Sequence, residues 1–186
     1  MKQYLTLLRG INVGGKNIIK MSDLMSCFKS IGFVDVLTYI QSGNVIFKTR
    51  ETNKTHLTHQ IEKALTKQFN YDLKIVLLSQ IQVETVIKDA PTDFGIFPDK
   101  FKYDVIFLKE GFTPNEIINR IKTKEGVDSA FAGSLTLYFS RLISKLTQSR
   151  LKNVMTLPEY QNMTIRNWNS IKEILNLMDR NKNTNA

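Results

Sequence analysis

The sequence predicts an α+β protein built as two tandem ferredoxin-like α/β plaits with an extra C-terminal helix. Strand-like and helix-like segments run β-α-β-β-α-β, break at a turn-rich connection, and then run in the same order again. The 186 residues, 42% of them hydrophobic, suit one large or two small packed domains rather than a disordered chain. The strands YLTLL, LKIVLL and DVIFL also carry apolar side chains on both alternating faces. A plait covers one sheet face with its helices, so the second face is expected to be buried against the other sheet or a partner chain.

In the first half, Gln3–Arg9 reads as a strand ended by glycines. Met21, Leu24, Met25, Phe28 and Ile31 then fall on one helical stripe closed by Gly32. Val34–Ile40 and Val45–Thr49 are β-rich runs joined by QSGN, a hairpin signal. Leu57, Ile61, Ala64 and Leu65 share a face of a second helix, LKIVLLS follows as a strand, and a short helix is expected over Ile81–Lys88. Pro91, Gly95 and Pro98 mark an irregular connection.

Tyr103–Leu108 restarts the pattern, and Thr113-Pro114 opens a helix through Ile117, Ile118 and Ile121. Val127–Ala132 and Leu135–Phe139 form a hairpin, Ser144–Val154 reads as a helix, Tyr160–Arg166 as a strand, and Trp168–Met178 as a final helix. The expected organisation is 1–90 for the first plait, 91–101 for the connection, 102–180 for the second plait with the C-terminal helix, and 181–186 for a frayed tail.

Three strings together carry a family resemblance: RGINVGG continuing as KNIIKMSDL, then YIQSGNVIF, then TIRNWNS. The chain resembles domain-of-unknown-function family 1697, uncharacterised bacterial cytosolic proteins. The resemblance spans nearly the whole chain and implies paired α/β plaits with no established activity. Ser170 stands where members of that family usually carry threonine, a change that keeps the hydroxyl.

The single cysteine, Cys27, excludes an internal disulfide and suits a reducing compartment. The opening apolar run is five residues long with Arg9 behind it, too short for a secretion signal or a membrane helix. A cytoplasmic location is therefore expected. The net charge of +9 favours anionic partners. It is concentrated between Ser134 and Lys172, where Arg141, Lys145, Arg150, Lys152, Arg166 and Lys172 face only Glu159.

Gly10–Lys16 has the G-x-x-x-x-G-K spacing of a phosphate loop after a strand, in which glycine amides and a lysine meet phosphate oxygens. Asn17 stands where a Mg²⁺-binding hydroxyl is required, and the helix is expected to begin late, which argues against a nucleotide-hydrolysing loop. In this topology the first strand's exit and the turn between strands two and three share one sheet end. Arg9, Asn12, Gly14, Gly15, Lys16 and Asn17 should therefore neighbour Gln41, Ser42 and Asn44, either as an anion cradle or as two tight turns.

A second polar cluster is expected from Arg141, Lys145 and Arg150 together with Arg166, Asn167, Trp168 and Asn169. Arg141, Lys145 and Lys152 near one helical face suit nucleic-acid backbone, or else a solvated face. Trp168 reads either as a core anchor beside a helix cap or as the support for ligand-facing amides. His56 and His59 lack a third ligand at metal spacing, Cys27 reads as packed, and no catalytic set, metal or cofactor is assigned. The leading functional expectation is a small anionic or phosphate-bearing ligand at the two loops. The alternatives are nucleic-acid binding through 141–166 and an enzyme acting on a nucleotide-like substrate.

Overall fold

The computed structural model describes residues 1–12 and 17–183. The chain divides into two compact units, one made of residues 1–83 with the stretch from Ile174 onward, the other of residues 84–173. Each is mixed α+β around a four-stranded antiparallel sheet.

The first unit runs β1 (Lys2–Leu8), α1 (Met21–Ser30), β2 (Val34–Tyr39), β3 (Asn44–Thr49), α2 (Lys54–Phe69), β4 (Ile75–Ser79) and the start of α3 (Gln80–Lys88). Its strand order is β2-β3-β1-β4. Side chains alternate across β1 as a strand requires. Tyr4 and Leu8 join Leu24 and Phe28 of α1 and Leu57, Ile61 and Leu65 of α2 in one core. Leu5 and Leu7 point to the opposite face, in register with Ile46 and Asn44 of β3 and with Leu78 and Val76 of β4, and are buried too. Asn53 caps α2, its side chain accepting from His56 N at 3.0 Å.

The last helix, α5 (Trp168–Asn183), contributes its C-terminal half to this unit. Gln3 Nε2 donates to Met178 O at 2.9 Å, Gln80 Nε2 to Asp179 Oδ1 at 2.7 Å, and Asn181 Nδ2 to Gln3 Oε1 at 3.2 Å. Residues 184–186, the end of the expected tail, lie outside the described residues.

The second unit carries β5 (Phe101–Leu108), α4 (Pro114–Ile118), β6 (Asp128–Ala132), β7 (Thr136–Leu142) and β8 (Met163–Asn167), in sheet order β6-β7-β5-β8. Ile106, Leu108, Ile117, Leu137, Phe139, Val154 and Met163 form its core. Two expectations need correction. The helix from Thr113 stays α-helical only to Ile118, after which Arg120 and Ile121 bond three residues back, to Ile117 and Ile118.

The helix expected over Ser144–Val154 is instead a succession of 3₁₀ turns at Ile143–Gln148, Leu151–Thr156 and Pro158–Asn162. Leu151, Val154, Leu157 and Tyr160 recur every third residue and pack on the core. A three-residue period matches the 3₁₀ turn and drifts off the face of an α-helix. Pro158 removes a donor from the same stretch, and the strand begins at Met163 rather than Tyr160.

Among the described residues, no helix is long and apolar enough to cross a membrane.

Candidate functional site

The exit of β1 is fixed from both sides. Leu8 N donates to Gly43 O at 2.8 Å and Arg9 N to Lys74 O at 3.1 Å, so the β2–β3 turn and the entry to β4 flank it. Gly10, Asn12 and Asn17 are left-handed, with φ of 69°, 53° and 50°, and Asn12 N donates to Asn17 O at 3.1 Å across the loop. Asparagine and glycine are the residues that tolerate this region.

The Asn12 side chain joins the two loops. Its Oδ1 accepts from Ile19 N at 2.8 Å, and its Nδ2 donates to Ile19 O at 3.1 Å and to Gln41 O at 2.9 Å. Asn17 Nδ2 donates to Gly10 O at 3.1 Å. Across the junction, Asn44 is 0% exposed, and its Nδ2 donates to Tyr39 O at 3.0 Å and to Ser42 Oγ at 2.7 Å. Gly43, with φ of 72°, lets the loops close. A Cβ there would stand 2.7 Å from Ile11 Cδ1 and 2.8 Å from Leu8 Cβ.

Arg9, Asn12 and Asn17 are thus brought together with Gln41, Ser42 and Asn44 at one end of the sheet, while Gly14, Gly15 and Lys16 lie outside the described residues. α1 begins at Met21, so the glycine-rich stretch does not run directly into a helix. Much of the amide capacity of Asn12, Asn17 and Asn44 serves to shape the junction. Arg9 is half-buried, and Gly10, Asn17, Ile18, Lys20, Ile40 and Gln41 are exposed.

The charges within 9–12, 17–20 and 39–44 are Arg9 and Lys20, with no carboxylate. The nearby Lys74 ammonium lies 3.1 Å from Asp72 and 3.9 Å from Glu62, and its bond to Asp72 raises its pKa above the usual lysine value. Three neighbours were missed from sequence. Tyr71 Oη donates to Asn17 O at 3.4 Å, Ile18 is 75% exposed, and Ile40 is 51% exposed with φ of 47°. No periodicity or motif signals a left-handed, β-branched residue.

The second predicted cluster is partly drawn inward. Arg141 Nε and Nη2 reach Asp104 Oδ2 at 3.1 and 2.5 Å. Arg166 is 8% exposed and donates to Thr164 Oγ1 at 2.6 Å and Ile165 O at 2.9 Å; burial pushes its pKa down to about 10. Trp168 is 5% exposed and meets the Phe94 and Tyr138 rings edge-on, at centroid distances of 5.2 and 6.4 Å. Asn167 Oδ1 accepts from Asn169 N at 3.0 Å at the start of α5, and Asn167 Nδ2 donates to Tyr103 O at 3.3 Å.

Lys145, Arg150, Lys152 and Asn169 are exposed. The three cations sit on or between 3₁₀ turns rather than along one α-helical face, and Arg150 Nη1 donates to Thr123 O at 3.2 Å.

A family model described as "Protein of unknown function (DUF1697)" matches residues 1–138. The chain belongs to this family. A solved structure, that of the conserved bacterial protein SP0830 from Streptococcus pneumoniae, is similar at 25% identity and a TM-score of 0.82, covering 94% of this chain and 97% of that one. Comparison with curated proteins gives no match. Both halves of the loop junction fall inside the matched DUF1697 region, whereas Arg166–Asn169 lie beyond it.

Elsewhere in this DUF1697 member, His56 Nδ1 sits 2.9 Å from Glu51 Oε2 on the surface. Backbone donation from Asn53, the His56 contact and donation from Thr52 hold Glu51 below the usual carboxylate range. Cys27 is buried in the helix-covered core, and desolvation raises its thiol pKa. Among the described residues, no group of three or more His, Cys, Asp or Glu side chains could hold a metal ion.

Proposed function

We propose that this DUF1697 member binds a small anion of the phosphate type where the β1 exit loop meets the β2–β3 turn. The carrying observation is the Asn12 side chain, whose three hydrogen bonds fasten Ile19 and Gln41 into one surface. A prefixed surface loses less conformational freedom on binding than a pair of mobile loops. Arg9 and Lys20 supply positive charge there, and no carboxylate in either described loop opposes an anion. The reading places the junction on a ferredoxin-like plait, supported by the β-α-β-β-α-β order and the β2-β3-β1-β4 sheet. It also places the protein in the cytoplasm, where the lone buried Cys27 stays reduced.

The test is thermal unfolding in rising phosphate, with chloride at matched ionic strength as control. A ligand at a hundred times its dissociation constant stabilises the native state by about 2.7 kcal/mol. A concentration-dependent rise with phosphate, absent in Arg9→Gln and Lys20→Gln, is expected. Equal curves in phosphate and chloride, or a rise that survives both substitutions, contradict the proposal.

A further inference from the structure

Two isoleucines are held out in water on either side of the junction. Ile18 lies between Asn17, whose carbonyl accepts from Asn12 N and whose Nδ2 donates to Gly10 O, and Ile19, bonded twice to the Asn12 side chain. Ile40 lies between Tyr39, whose carbonyl accepts from Asn44 Nδ2, and Gln41, whose carbonyl accepts from Asn12 Nδ2. Ile18 and Ile40 are 75% and 51% exposed.

Ile40 also has φ of 47°, a region that a β-branched side chain enters only when its surroundings force it. A single exposed isoleucine is ordinary, but one amide nitrogen reaches the carbonyls next in sequence to both of these. The two apolar side chains therefore flank one polar junction. Both are stiff at χ1, and water gains nothing from them.

We infer that the ligand carries a flat apolar ring as well as its anionic end: an organic monophosphate of the aryl or nucleoside kind, its ring against Ile18 and Ile40 and its phosphate toward Arg9 and Lys20. This rests on the anion reading above and narrows it. A rigid planar ring covers two rigid aliphatic side chains at little entropic cost, whereas a flexible chain loses rotamers on doing so.

The experiment is isothermal titration of the full chain with inorganic phosphate, butyl phosphate, phenyl phosphate and adenosine monophosphate, repeated on Ile18→Ser and Ile40→Gly. Glycine adopts positive φ without strain, so Ile40→Gly removes the side chain without endangering the fold. Phenyl phosphate or adenosine monophosphate is expected to bind about tenfold more tightly than inorganic or butyl phosphate, the scale set by covering a few tens of Å² of apolar surface. Each variant should reduce that preference while leaving inorganic phosphate binding intact. A gain with both ring compounds identifies the ring itself, and a gain with the nucleotide alone identifies the nucleoside; either supports the inference. Equal binding of ring-bearing and ring-free phosphates, or a preference untouched by both substitutions, overturns it while the anion site stands. Absence of binding by every phosphate overturns both.

Discussion

Gly43→Ala tests the way the two loops close. Gly43 has φ of 72°, and an added Cβ would lie 2.7 Å from Ile11 Cδ1 and 2.8 Å from Leu8 Cβ. Left-handed backbone costs an alanine roughly 1–2 kcal/mol. Overpacking adds roughly 1–3 kcal/mol, toward the upper end here because Leu8 Cβ is bonded directly to the strand backbone. The expected loss is therefore about 2–5 kcal/mol, or on the order of 5–15 °C in melting temperature for a chain of this size.

Gly10 supplies the control. Its φ is 69°, and nothing lies within 4 Å of the Cβ position, so Gly10→Ala should cost only the backbone share, roughly 1–2 kcal/mol. Ile11→Val deletes Cδ1 and should restore part of the loss when combined with Gly43→Ala. Urea unfolding of the three variants and the double variant reads these differences directly. If Gly43→Ala proves no more costly than Gly10→Ala, the loops are not packed as described.

Other consequences follow from the cores and the surface. Thr6 Oγ1 is buried without a hydrogen-bond partner among the described residues, so Thr6→Val should stabilise the fold by about 1 kcal/mol in urea titration; a loss of stability would show that the hydroxyl is satisfied in solution. Gly95, at φ of 91°, would set a Cβ hard against Trp168 Nε1 and Cδ1, and Gly95→Ala should cost at least about 2 kcal/mol and alter tryptophan fluorescence; an unchanged spectrum and stability count against the packing. Donation from Thr113 lowers the pKa of Glu116, and donation from Ser134 lowers that of Asp89. Their stabilising share is complete above the ordinary carboxylate range and is lost as pH falls through their lowered folded values, so Glu116→Gln should flatten the stability profile below about pH 4.5. A profile parallel to the parent's rejects that assignment.

The first sheet was legible because its signals are local and agree. The period of 3.6 in Met21–Ile31 and the alternation in YLTLL each point to one element, and chain order then places the β1 exit beside the QSGN turn. The helix expected over Ser144–Val154 does not form because the decisive signal is the strict spacing of three through Leu151, Val154, Leu157 and Tyr160. Arg141 and Arg166 are expected in one polar cluster, whereas the fold pairs the first with Asp104 and buries the second. Asp104 in the otherwise apolar run Tyr103–Leu108 was the available sign of a partner for Arg141, but nothing in the pattern marks Arg166 as buried. At the junction, residue types and neighbourhood could be read in advance. The use of Asn12 and Asn44 as fasteners, and the exposure of Ile18 and Ile40 that follows, depend on angles and distances that no spacing encodes.

Backbone amide shifts recorded by ¹H–¹⁵N correlation during titration with phenyl phosphate test the binding claim most directly. Saturable shifts concentrated at Arg9–Asn12, Asn17–Lys20 and Tyr39–Asn44 are the predicted result. Shifts centred elsewhere, or none at millimolar ligand, would contradict it.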